Sequence, residues 1–220
     1  MSTLHKTRAG SASRRGSAVR RGRRRLFVLL VLVGCGILGL LIAPLFQKAI
    51  QHLTLPLQYP AIIRQQAADK HLDPALIAAV IYAETRFVPR TSSAGAEGLM
   101  QIEPATAEFL AHKSGATTFT TADLATPAVN IAYGSYYLRY LMDEFGGSDQ
   151  PSETTEVLAL AAYNGGDTNV QRWLALAREQ GHDFTVSDIP FPQTRAYVEK
   201  VMHAQQRYRH QYARQLGYAA

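Results

Sequence analysis

Hydrophobic and polar positions divide the chain into two unlike parts. From Leu26 to Ala43 it reads LFVLLVLVGCGILGLLIA, 18 residues without a charge, closed by Pro44. Apolar side chains on every side over that length predict a helix able to cross the hydrocarbon core of a bilayer, over 26–45. Phe46 to about Gln58 reads as a juxtamembrane linker, and beyond Tyr59-Pro60 apolar residues recur at helical spacing. Asp73-Pro74 predicts an N-cap followed by proline at the first helical position, opening a helix to about Arg86. Thr126-Pro127 repeats that signal, with Ile131, Gly134, Tyr137, Leu138, Leu141 and Phe145 at helical spacing and Gly146-Gly147 as the stop. Ser152 is placed to cap a helix through Tyr163, Asp167 another through about Gln180, and Pro192 precedes a long last helix to about Leu216. No alternating run of strand length occurs. The expected fold class is all-α, with six to eight helices over 59–220 preceded by one N-terminal transmembrane helix.

Charge changes this picture in one respect. The formal net charge is +6, but nine of the 23 basic residues fall in the first 25 positions, which hold no acid, leaving 14 bases against 17 acids elsewhere. The basic surplus belongs to a tail, 1–25, and the globular part offers no basic face for nucleic acid. Arginines directly ahead of the apolar run place that tail in the cytoplasm and the rest outside. The expected location is the cell membrane, single-pass, with the domain on the cell-wall side. A cleaved signal peptide and a lipoprotein signal at Leu32-Val33-Gly34-Cys35 compete with this signal anchor. The run is long for the first and continues past Cys35 for the second, and all three export the domain. Cys35 is the only cysteine, and the seven histidines have no close helical pairing, so neither a disulfide nor a metal site is expected.

In the helix after Asp73, Ala75 to Ala83 carries no charge on any side, which marks a helix buried all round. Glu84 ends that run on the face of Ile77, Val80 and Ile81. A carboxyl there is partly desolvated, which raises its pKa towards what a general acid needs near neutrality. The structural alternative is a solvated helix end, with Glu84 paired to Arg86 or Arg90. Further on, Gly95 and Gly98 permit a tight return of the backbone beside Met100 and Gln101.

Together, Glu84-Thr85-Arg86-Phe87, the Gly95-Ala96-Glu97-Gly98-Leu99-Met100-Gln101 stretch, Asn130-Ile131 with Gly134, Ala162-Tyr163-Asn164-Gly165-Gly166 and Pro192 to Val198 closely resemble the soluble lytic transglycosylase (SLT) family in order and spacing. The resemblance runs from about Tyr59 to Arg209. It implies a lysozyme-like, mainly helical catalytic domain, akin to goose-type lysozyme, acting on peptidoglycan. Glu84 maps to the single catalytic acid and base, and Met100, Gln101, Tyr163 and Asn164 map to the floor and walls of a glycan groove, with Tyr163 also positioning the carboxyl. Ser92 or Ser93 fills the family's serine position, because the segment between Pro89 and Gly95 is one residue short. Tyr197 reads equally as core or site. Bland readings stand beside these: Met100 as core filler, Tyr163-Asn164-Gly165 as a helix terminus, Asn130 as a polar residue bonding backbone. Gln193 stands where the family often has glutamate, and Thr85 where serine is commoner.

The implied reaction needs no cofactor. Glu84 protonates the leaving oxygen of the β-1,4 link between N-acetylmuramic acid and N-acetylglucosamine, the substrate's N-acetyl group stabilises the cation, and the 6-hydroxyl closes a 1,6-anhydro ring. A goose-type-lysozyme-like hydrolase, with Glu97 or Glu103 presenting a base, is the alternative. A non-catalytic wall-binding module is the third reading, against which the intact Glu84 argues. The partners expected are glycan strands and, through 26–45, the cytoplasmic membrane. Any partner within a cell-wall machinery is left unidentified.

Overall fold

In chain order the helices are α1 (Pro60–Lys70), α2 (Pro74–Thr85), α3 (Pro104–Ser114), α4 (Pro127–Phe145), α5 (Ser152–Gly165), α6 (Asp167–Glu179), α7 (Pro192–Gln211) and α8 (Ala213–Leu216). Two 3-10 turns, Thr121–Ala125 and Val186–Asp188, and a small hairpin, β1 (Arg90–Thr91) and β2 (Glu97–Gly98), lie between them. This is a computed structural model, and it describes residues 55–146 and 152–218, all within the unit Thr54–Ala220. The arginine tail, the expected span 26–45 and Cys35 lie outside the described residues. Among the described residues no helix is long and apolar enough to cross a membrane.

Proline opens α1, α2, α3, α4 and α7, where its missing N–H would have had no helical partner and its fixed φ already suits the helix. Asp73 caps α2 as its sequence predicts, the side chain accepting from Ala75 N at 2.9 Å. Its carboxylate also receives Gln205 Nε2 at 2.9 Å, the Arg209 guanidinium and the Tyr218 hydroxyl, so one cap ties the start of α2 to the C-terminal helices.

Every residue of α2 from Ala75 to Ile81 is buried. Its main partner is α7, which brings Val198, Val201, Ala204 and Tyr208 against it. The helices close a cycle in which α2 packs on α7, α7 on α5, α5 on α4, α4 on α1 and α1 on α2. Within it lie Ile131, Leu138 and Leu141 of α4 and the run Leu158–Ala162 of α5, all fully buried.

The structure departs from the sequence expectation in four places. The domain is mainly rather than wholly helical, because Arg90↔Gly98 and Thr91↔Glu97 pair antiparallel over strands too short to carry an alternating pattern. The long last helix is interrupted at Tyr212, whose φ of −124° leaves the helical region. Ser152 is the first residue of α5, and Gly166 rather than Asp167 stands at the N-cap of α6. Finally, the expected linker 46–58 includes residues that belong to the fold. Leu55 is buried and its carbonyl receives the Tyr212 hydroxyl at 2.5 Å, while Pro56 O receives Tyr208 at 2.5 Å.

Candidate active site

Glu84 lies in the last turn of α2, where three devices fix the backbone. Arg90 Nη2 donates to Glu84 O at 2.7 Å and Lys200 Nζ to Ala83 O at 2.6 Å, placing cations at the negative end of the helix. The buried Thr85 hydroxyl lies 2.7 Å from Leu99 O and ties the helix end to the next loop. The chain then turns through two consecutive left-handed residues, Arg86 (φ 53°) and Phe87 (φ 64°), a conformation costly for side chains of that bulk. Burial of Phe87 against Tyr208 of α7, ring centroids 6.3 Å apart, offsets that cost.

The Glu84 carboxyl itself is largely buried, and burial pushes its pKa from 4.5 up to about 7. Tyr197, Lys200 and Arg90 pull it partly back, in that order, by donating to or facing the charged form. The Tyr197 hydroxyl is buried, faces this carboxyl and has no partner in hydrogen-bonding geometry among the described residues. Neither Arg86 nor Arg90 forms an ion pair with Glu84, so the solvated-helix-end reading does not describe this residue.

The segment after Glu84 returns through β1 and β2. Ser92 closes the turn between them: its N–H donates to Ala96 O at 2.8 Å and its hydroxyl oxygen accepts from Ala96 N at 2.9 Å. Asn130, reaching over from α4, is 1 % exposed and fully engaged. Its Oδ1 accepts from Met100 N at 2.8 Å, and its Nδ2 donates to Glu97 O at 2.9 Å and Leu124 O at 3.0 Å. Asn130 is therefore the backbone-bonding residue of its bland reading. The glycine at 98 follows from it, since a Cβ there would stand 2.2 Å from Asn130 Nδ2, with φ at +78° besides.

Gln101, also left-handed at φ 51°, donates through Nε2 to Arg90 O at 2.7 Å and Gly98 O at 2.9 Å. Met100 is corrected from groove surface to core. Its side chain has no exposed area and packs where Gly134 leaves room; a Cβ on Gly134 would stand 2.3 Å from its Sδ. Its contribution to the site is its carbonyl, which receives the Tyr163 hydroxyl at 2.8 Å.

A cavity of about 150 Å³ opens here, lined by Gln101, Ile102, Glu103, Thr106, Tyr137, Ala162, Tyr163, Asn164 and Gly166. Glu84 stands beside it rather than in its lining, with Tyr163 as the shared wall: the carboxylate of Glu84 pushes the Tyr163 pKa up, after burial itself. Of the residues singled out in the sequence, Gln101, Tyr163 and Asn164 meet in this cavity, Tyr197 meets Glu84, and Ser92 spends its hydroxyl on the hairpin turn. Glu103, one of the two carboxyls that the hydrolase alternative calls on, lines the cavity from the N-cap position of α3 and is exposed. Glu97 instead accepts from the Thr91 hydroxyl at 2.9 Å. Sequence reasoning missed Lys200, for which no local signal exists, and Tyr137, whose helical spacing reads as core. Among the described residues no cluster of His, Cys, Asp and Glu could hold a metal.

A mainly helical domain in which one partly buried carboxyl ends a core helix beside a polar, tyrosine-lined cavity is the architecture of a lysozyme-like domain. The family model for the transglycosylase SLT domain matches residues 61–184, and the chain belongs to that family. It is 32% identical over 159 residues to the soluble lytic murein transglycosylase of Salmonella typhimurium, covering 70% of this chain and 23% of that one. It is 30% identical over 169 residues to membrane-bound lytic murein transglycosylase C of Actinobacillus pleuropneumoniae, covering 70% and 46%. Among solved structures, an inactive glutamate-to-glutamine mutant of the lytic transglycosylase Slt from Pseudomonas aeruginosa superposes with a TM-score of 0.62 at 30% identity, over 72% of this chain and 25% of that one. The chain thus spans about a quarter of the soluble relatives and under half of the membrane-bound one.

Proposed function

We propose that this protein is a lytic transglycosylase that cleaves the β-1,4 link between N-acetylmuramic acid and N-acetylglucosamine in peptidoglycan and leaves 1,6-anhydro-muramic ends. The observation that carries this reading is the Glu84 carboxyl at the end of a core helix, which burial poises at about 7 beside the tyrosine-walled cavity. A group at that pKa is half protonated near neutrality, so it serves as an acid in the first step and as a base in the second. Glu84 gives its proton to the leaving glycosidic oxygen as the bond to the muramic C1 breaks. The N-acetyl group of the same sugar stabilises the developing cation. The Glu84 carboxylate, now held by Tyr197, Lys200 and Arg90, takes the proton of the 6-hydroxyl as that oxygen bonds to C1. The intramolecular hydroxyl has a large effective concentration over water. Gln101, Tyr163 and Asn164 hold a neighbouring sugar in the cavity, with Met100 supporting the floor through its carbonyl. The Pseudomonas relative, inactive with one glutamate changed to glutamine, supports a reaction that depends on one acid.

A hydrolase is the second reading, and Glu103 in the cavity lining favours it. Two-carboxylate glycosidases place their groups within about 10 Å of each other, and the second carboxyl would here have to be Glu103, on the far side of Tyr163 from Glu84. The products decide. Digested sacculi analysed by mass spectrometry are expected to release muropeptides one water lighter than hydrolytic ones and resistant to borohydride. Predominantly reducible ends would establish the hydrolase, with Glu103→Gln then abolishing turnover.

The same reading places the domain on the wall side of the membrane, anchored by 26–45 with residues 1–25 in the cytoplasm. The arginine cluster and charge-free run motivate it, and the membrane-bound relative accords with it. Protease added to wall-stripped cells is expected to digest the domain and spare a tag on residue 1. Protection of the whole chain would reject the topology, and a lipid-modified mature end at Cys35 would establish the lipoprotein form.

A further inference from the structure

A cavity of about 150 Å³ is small beside the 300–1,000 Å³ that ordinary ligand pockets offer. A polymer whose ring enters it must continue over open surface. Two cavity walls lead outwards. On α3, Thr106 lines the cavity, and Phe109 and Lys113 follow at three and seven residues, on the same face. On α4, Tyr137 lines the cavity and Tyr140 follows at three.

These side chains form one row. Tyr163 and Tyr137 have centroids 5.3 Å apart, Tyr137 and Tyr140 lie 6.4 Å apart with planes only 12° from parallel, and Phe109 meets Tyr140 edge-on at 5.3 Å. Lys113 closes the row with its ammonium 5.0 Å from the Tyr140 ring centre and 6.0 Å from that of Phe109. Phe109 is 46% exposed, and Lys113 forms no ion pair among the described residues. Exposed apolar faces that continue a cavity mark a binding surface more often than isolated ones do. Aromatic rings with polar edges suit a pyranose, which has an apolar C–H face and a hydroxylated rim. An unpaired ammonium at the end suits a carboxylate.

We propose that the row Tyr137, Tyr140 and Phe109, ended by Lys113, is an open extension of the groove that carries sugars remote from Glu84, with Lys113 receiving a carboxylate borne on the strand. This rests on the peptidoglycan reading above. The row holds polymer without touching the reacting bond, so it acts on KM for long strands and not on kcat. A tetrasaccharide bound across Glu84 is too short to use it.

The test compares long glycan strands with a tetrasaccharide of the same repeat, using the full chain and the double variant Phe109→Ala, Lys113→Ala. Loss of one ring stack and one cation is expected to raise KM on long strands about tenfold, with kcat and the tetrasaccharide rate within about twofold of the parent. An unchanged KM on long strands, or equal losses on both substrates, would overturn the proposal. Co-sedimentation with purified sacculi in a Glu84→Gln background separates binding from chemistry. There the double variant is expected to bind at least about threefold more weakly. Weaker binding alongside a parent that yields no anhydro products would leave the surface standing and remove the transglycosylase reading instead.

Discussion

The end of α2 and the loop from Arg90 to Gln101 both serve the site, and they are held by different physics. Glu84 inherits its position from a helix buried on every side, so packing fixes it and burial sets its chemistry. The loop has little core of its own beyond Leu99 and Met100. It is held by single side chains: Asn130 accepts from Met100 N and donates to Glu97 O, Gln101 donates to two backbone carbonyls and Thr85 to one. Changes at the helix end should therefore alter chemistry while sparing the fold, and changes at the loop's anchors should do the reverse.

The sharpest attempt to break that contrast is Glu84→Gln. Turnover is expected to fall by about a hundredfold or more, since the amide has no proton to give. Stability should move the other way with a definite pH dependence. A carboxyl whose folded pKa is about 7 against an ordinary 4.5 contributes stability that is complete below 4.5 and lost as pH rises through 7. The permanently neutral amide loses nothing over that window. Thermal or urea unfolding at pH 8 should find the variant more stable than the parent by up to about 3 kcal/mol, with the gap closing by pH 4.5. A variant less stable at pH 8 would mean that Glu84 is a structural anchor after all.

Next in size is Asn130→Ala, which takes the side-chain partner from Met100 N and Leu124 O in a buried place and leaves Glu97 O with Ile102 N alone. A loss of about 3 kcal/mol is expected from urea unfolding, with the pH of half-maximal activity unchanged, because Asn130 touches no part of the Glu84 carboxyl. The smallest effect sharpens the comparison. Lys200→Met removes one of the charges that favour ionised Glu84, so the acid's pKa must rise further. The kcat pH profile should shift towards alkaline pH by less than about one unit, with stability changed only slightly because Lys200 is exposed.

That same contrast explains what the sequence disclosed. α2 was legible because capping, proline and an unbroken apolar run agree over its whole length. Glu84 stood out as the first charge after ten residues without one. The loop was not legible, because Arg86, Phe87 and Gln101 take left-handed conformations that no glycine announces. Two-residue strands leave no alternation to detect. Met100 was misread because a motif records that a position is constrained without saying which atom is used, and here it is the carbonyl. Lys200 and the packing of Leu55 arise from contacts across more than a hundred residues, which no local window contains.

That sequence distance has a bearing on when the acid exists as one. α2 and α7 are joined only after the intervening chain has closed, a slow and entropically costly step for partners so far apart. Until the segment from Pro192 has docked, Glu84 has neither Tyr197 nor Lys200, and α2 has no cover on its largest face. In that unfinished state the burial that pushes the Glu84 pKa up is incomplete. The latest long helix of the domain to be synthesised thus completes the surroundings of a carboxyl made more than a hundred residues earlier.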